Sequence, residues 1–154
     1  MGRESPYVRA AIVEAMVGLI IVRAASTDNV MTVSAVSEVA HHPTSLWVSI
    51  DRTTYTHQLL CQRGLFTLAL LHDGQADLAW SCGTVSGRDR DKCANLTIAT
   101  HADYLFLPEA LTNTACRIRT TVDLGTHTMF IADLLFGEVN SRMQHRRNLL
   151  LSDL

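Results

Sequence analysis

Two stretches near the end of the chain, ACRIRTTVDL (115–124) and HTMFIADLLFGEV (127–139), constrain the fold more than any others. The first alternates. Cys116, Ile118, Thr120, Val122 and Leu124 share one face, and Arg117, Arg119, Thr121 and Asp123 the other, which is the period of a half-buried strand. The second is apolar on both faces from Met129 to Phe136, so it needs cover on both sides. A barrel interior on one side and a partner subunit on the other supply that cover.

The remaining pattern is also rich in strands. GLIIVRAA (18–25) reads as a buried strand with a turn at STDN, and LFTLALL (65–71) as another. NVMTVSAVSEVA (29–40) alternates: Met31, Val33, Ala35 and Val39 point one way, and Thr32, Ser34 and Glu38 the other, with Val30 and Val36. SLWVSID (45–51) sets Leu46, Val48 and Ile50 against Trp47, Ser49 and Asp51, after a turn at HHP. Helices are short. ESPYVRAAIVEAMV (4–17) has Pro6 in its first turn, TYTHQLLCQRG (54–64) stops at Gly64, and GQADLAWSCG (74–83) precedes a polar loop, TVSGRDRDK. The segment that ends at Pro108 reads as irregular. Six or seven strands without regularly interleaved crossover helices argue against a doubly wound sheet. The expected class is mainly β with short helices, a small antiparallel barrel.

A chain of 154 residues fits one domain over 1–154 and buries roughly 70% of its unfolded surface without disulfides or metal. A net charge of −2 excludes a broadly electrostatic nucleic-acid binder. The basic cluster RMQHRR near the C-terminus reads as a solvated turn. Cys61, Cys82, Cys93 and Cys116 show no C-x-x-C spacing, as expected of free thiols in a reducing compartment. The apolar run AMVGLIIV, bounded by Glu14 and Arg23, is too short to cross a bilayer. A cytoplasmic protein without membrane contact is the expectation.

Candidate chemistry gathers at VSIDRTTYTHQLL (48–60). A helix beginning near Thr53 or Thr54 presents unpaired N–H groups and the positive end of its dipole. With Thr54, Thr56 and Arg52 alongside, it offers a phosphate cradle. An N-cap threonine with surface hydroxyls is the plainer reading. Both stay open on this segment alone, and hydroxyls on the mixed strand faces at Thr32, Ser34 and Ser49 favour a ligand. VSGRDRDK lacks Walker spacing. It reads either as a polar loop or as a source of Lys92 for a phosphate. The seven histidines are scattered and read as no metal site. His127 opens the last strand and reads as a turn histidine or a catalytic one. No G-x-S-x-G elbow occurs, which speaks against nucleophilic hydrolysis.

Five segments in this order, NVMTVSAVSEV, HHPTSLWVSIDRTTYTHQLL, GLFTLALL, CGTVSGRDRDK and GTHTMFIADLLFGEV, resemble the flavin reductase-like, FMN-binding split-barrel family. The likeness is greatest to flavoredoxin-type members, which share the S-G-R-D-x-D-K loop, and it runs from about Val17 to Val139. The resemblance implies a split β-barrel homodimer with FMN near the subunit interface. It places Thr32, Val33 and Ser34 at the isoalloxazine edge, and Ser49, Ile50 and Asp51 on the next wall. Thr54, Thr56 and Lys92 fall at the phosphate with Ser86 in the nearby loop, and His127 near the nicotinamide or flavin. The implied activity is an NAD(P)H:flavin reductase. The alternatives are a flavoredoxin-like carrier that takes electrons from a redox partner protein, and a barrel that binds another planar ligand such as haem. Ala69 stands where an asparagine is common, and GTH replaces GDH, leaving His127 without a carboxylate next to it in sequence.

Overall fold

The computed structural model describes residues 14–154. Its strands are β1 (Gly18–Val22), β2 (Asn29–Val33), β3 (Val36–His41), β4 (Thr44–Asp51), β5 (Leu65–Leu70), β6 (Ala99–His101), β7 (Tyr104–Phe106), β8 (Thr112–Asp123) and β9 (His127–Val139). Two α-helices interrupt them, α1 (Tyr55–Arg63) and α2 (Ala76–Gly83). Seven strands form one sheet in the order β2-β1-β5-β8-β9-β4-β3, and every pairing is antiparallel. The strands at the two ends of that order, β2 and β3, are joined through Ser34 and Ala35 alone. The sheet therefore curls back on itself, and the Ser49 N–H donates to the Ala35 carbonyl at 3.0 Å across the junction.

The curl encloses a core of Ile20, Val33, Val48, Phe66, Cys116 and Phe130, with Leu59 and Leu60 of α1 packed into it. Alternation decides this. Leu46, Val48 and Ile50 of β4 are at most 6% exposed, while Trp47, Ser49 and Asp51 are only partly covered. Helix α1 is held at both ends. Thr54 caps its start, and Gly64 at φ 69° ends it by returning its N–H to the Leu60 carbonyl, a left-handed C-cap that glycine adopts without a Cβ penalty.

A second core lies on the opposite face of β1 and β5. There Leu19, Ile21, Ala69 and Leu71 meet Ala79 and Cys82 of α2, Leu105, and Leu149 of the C-terminal segment. Strand β1 is thus buried on both faces, which is why GLIIV shows no alternation. The C-terminal strap, Arg146–Leu154, holds this cover in place. The Val17 N–H donates to Leu149 at 2.8 Å, and the Leu149 N–H to Leu71 at 2.9 Å.

Three expectations are corrected. The helix read over residues 4–17 lies outside the described residues as far as residue 13. Its last part is extended, with Met16 bridging Leu150. The single strand read over 29–40 is two strands, broken at Ser34–Ala35 and bulged between Glu38 and Ala40. Val39 is half exposed, in a strand exposed at every residue after Val36. The segment read as irregular carries the β6–β7 hairpin. Its strands of three residues each are too short for periodicity to register. No helix among the described residues is long and apolar enough to cross a membrane.

Candidate functional site

A cleft of about 300 Å³ lies between the start of α1, the end of α2 and the loop that follows it. Thr54, Thr56, Ser86 and Lys92 all line it, although the sequence separates them by up to 38 positions, from 54 to 92. Met31, Tyr55 and Arg88 complete the walls. The three residues expected at an anionic group, and Ser86 of the nearby loop, thus share one cavity.

Their roles differ. Thr54 is the N-cap of α1: its hydroxyl donates to the Asp51 carbonyl at 2.8 Å and accepts from the His57 N–H at 3.2 Å. The plainer reading holds for that side chain. Thr53 is also engaged, since its N–H and hydroxyl both donate to the Asp51 carboxylate, at 2.8 and 2.7 Å. Those two bonds hold the Asp51 carboxyl below its usual range. Thr56 is 2% exposed on the cleft floor and accepts from Asn29 Nδ2 at 2.8 Å.

Lys92 is half-buried. Its Nζ donates to the Cys82 carbonyl at 2.9 Å, and burial lowers its pKa from the ordinary lysine value. Among the described residues it meets no carboxylate in an ion pair. Arg88 likewise spends its guanidinium on neutral acceptors, the Thr53 carbonyl at 3.0 Å and Gln58 Oε1 at 3.2 Å, and lies 5.5 Å over the Tyr55 ring. The first turn of α1 has no acidic residue. Two cations without anionic partners and a helix start without acid form a donor set suited to a phosphate.

Arg88 is the residue that sequence reasoning missed. The loop SGRDRDK holds three cations, and only folding shows which of them turn inward. Arg52, expected beside the cradle, points elsewhere. Its Nη1 pairs with Asp123 at 3.1 Å and with the Gly125 carbonyl at 3.3 Å.

The other expected residues lie outside the cleft. Val33 and Ile50 are core side chains, 5% and 1% exposed, so only their backbone can face a ligand. The Thr32 hydroxyl donates to the Ala79 carbonyl at 2.6 Å and fastens α2 to β2. Ser34 and Ser49 are partly exposed beside the β2–β3 junction. His127 pairs with Asp51 in the β4–β9 register and its Nδ1 lies 2.9 Å from Thr126 Oγ1. Asp51 thus stands opposite His127 on the neighbouring strand, although its carboxylate is bonded to Thr53. Neither Asp51 nor His127 lines the cleft.

The family model of the flavin reductase like domain matches residues 11–153. This chain belongs to the flavin reductase-like family. It is 35% identical over 115 residues to the reductase component of the FADH(2)-dependent resorcinol hydroxylase of Rhizobium sp. (strain MTP-10005), a match covering 73% of this chain but only 63% of that protein. In fold, this flavin reductase-like chain is similar to flavoredoxin from Methanosarcina acetivorans, with a TM-score of 0.81 at 19% identity over 91% of this chain and 86% of that one. It is also similar to the NADH:FAD oxidoreductase SgcE6 of Streptomyces globisporus C-1027, with a TM-score of 0.83 at 17% identity over 97% and 91%. At those identities the likeness is one of fold, and the curled antiparallel sheet is the split barrel that the resemblance implied.

Proposed function

We propose that this chain, read as a single domain over residues 1–154, is an NAD(P)H-dependent flavin reductase. Its cleft at α1 takes the phosphate of FMN. The observation that carries the reading is the convergence of Lys92 and Arg88, both without carboxylate partners among the described residues, on a helix whose first turn has no acid. A planar ligand without an anionic group gives no reason for such a set.

The chemistry a flavin supplies when bound is two-electron acceptance from a reduced nicotinamide. This chain's own groups bind and orient it. Lys92 Nζ and Arg88 offer charged donors, and the free N–H groups of the first turn of α1 add neutral ones. The backbone of Val33, Ser34 and Ile50, with the Ser49 hydroxyl, forms the edge along which the ring system would lie. His127, opposite Asp51 beside the start of α1, is the residue we assign to the nicotinamide. A partner role follows from the relative described as a reductase component: supply of reduced flavin to a monooxygenase. The bare apolar end of β9, where Leu135 is 41% and Val139 67% exposed, supports a homodimer, and reducing cytoplasm suits its free thiols.

Flavin titration followed by fluorescence tests the site. FMN is expected to bind tighter than riboflavin, which lacks the phosphate. Lys92→Ala is expected to cost FMN about tenfold or more, the scale of a hydrogen bond to a charged group, and to leave riboflavin unchanged. Steady-state NADH or NADPH oxidation with free flavin as acceptor separates a reductase from a carrier. Turnover supports the reductase, and tight FMN binding without turnover favours the flavoredoxin-like reading.

A further inference from the structure

Asn29, the first residue of β2, is 2% exposed and has no part in the expected site. Two walls of the cleft meet at its amide, the start of α1 and the Ser86–Arg88 loop. Its Nδ2 donates to Thr56 Oγ1 in the first turn of α1. Its Oδ1 lies under Gly87, where any Cβ would collide with it and would also come within 2.9 Å of the Tyr55 ring. Gly87 is therefore glycine because the Ser86–Arg88 loop rests on Asn29.

The direction of the amide bond sets what Thr56 can do. A hydroxyl has one proton to give and lone pairs to accept with. Asn29 occupies a lone pair, and the Thr56 proton meets no acceptor among the described residues. Thr56 lines the cleft floor, so the remaining place for that proton is the cleft. Resting on the reading of the cleft as the phosphate end of a flavin site, we propose that Asn29 is a positioning residue. By donating to Thr56 Oγ1, it makes Thr56 a donor to the bound anion, and it seats the Ser86–Arg88 loop over the same group.

Asn29→Asp is nearly isosteric but reverses the bond: a carboxylate accepts the Thr56 proton and turns it from the cleft. Titration of the full-length chain with FMN and riboflavin is expected to show the FMN preference falling about tenfold in Asn29→Asp, with riboflavin affinity unmoved. Thr56→Val is expected to lose a similar share, and Thr56→Ser to keep it. In the Thr56→Val background the Asn29→Asp effect is expected to shrink, because coupled residues are not additive. An equal effect in both backgrounds assigns the loss to direct charge repulsion and overturns the proposal. An unchanged FMN preference in Asn29→Asp also overturns it while the flavin site stands. Should Asn29→Asp fail to fold, the Thr56→Val and Thr56→Ser pair decides, and equal FMN preference in the two sinks the inference. A wild-type chain that takes up neither flavin removes the site reading itself.

Discussion

Strands β1 and β9 are both apolar on two faces, yet they end in different surroundings. In β1 every residue is buried: Ile20 and Val22 face the barrel interior, and Leu19 and Ile21 face α2 and the C-terminal strap. In β9 the first half is buried on one face and part-covered on the other, at Met129 and Ile131. Phe130 and Ala132 are at most 1% exposed, whereas Leu135, Phe136 and Val139 are 41%, 46% and 67% exposed. Phe136 is shielded on one side by Tyr104 and Phe106, with ring centroids 5.5 and 5.9 Å away. A doubly apolar strand demands cover, but the demand does not say who meets it. The chain covers β1 with its own segments and leaves the end of β9 bare.

The largest expected effect tests the covered strand. Leu19→Ala removes a side chain that is 0% exposed between β1 and its cover, and should lower stability by about 2–5 kcal/mol. Leu135→Ala should stay within about 0.5 kcal/mol in an isolated subunit. Denaturant midpoints measure both, and equal losses would erase the contrast. Next in size is the proposed pairing. Val139→Asp buries a charge if a second copy sits on β9, so sedimentation should show weakened self-association with little change in the subunit's fold. An unchanged oligomeric state would place the partner elsewhere.

A smaller effect concerns what holds the cover on β1. Arg147 grips the Asp153 carboxylate at 2.7 and 2.9 Å, and Arg146 grips Asp73 at 2.6 Å. The Arg147 guanidinium, with the Leu150 N–H, holds Asp153 at about 2, below its ordinary 3.8. A depressed carboxyl stabilises fully above its unfolded pKa, and that stabilisation is lost as pH falls through the folded one. Hydrogen exchange at Leu149 and Leu151 should therefore quicken between about pH 4 and pH 2, ahead of the barrel interior. Uniform exchange across both regions would mean that the strap does not open by itself. The smallest perturbation is chemical labelling. Burial pushes the Cys93 and Cys116 thiols up to about 12, and Cys61 is the exposed one. Mild alkylation should mark Cys61 first, and early labelling of Cys116 would show the barrel opening.

Much of this was legible in the chain itself. The bounds of β9 were readable from HTMFIADLLFGEV, and those of α1 from a threonine cap and Gly64, because strand alternation and helix caps are written in neighbouring residues. The clustering of Thr54, Thr56, Ser86 and Lys92 was legible through the family pattern. The short β6–β7 hairpin was not, because three-residue strands carry no period, and neither was the break at Ser34–Ala35, which lies inside an alternating run. No local signal marks Asn29: its partner Thr56 is 27 positions away. Asp51 reaches His127 only through the pairing of β4 with β9.

The sequence by itself determined the bounds of α1 and β9, that β1 and β9 are apolar on both faces, and which family the chain belongs to. Tertiary structure alone decided what covers β1, which of the clustered hydroxyls is spent on capping α1, and which cations of the SGRDRDK loop line the cleft. The physical reason is range. Propensity and capping act within a few residues, whereas burial and hydrogen-bond partnership depend on segments that meet only once the sheet has curled.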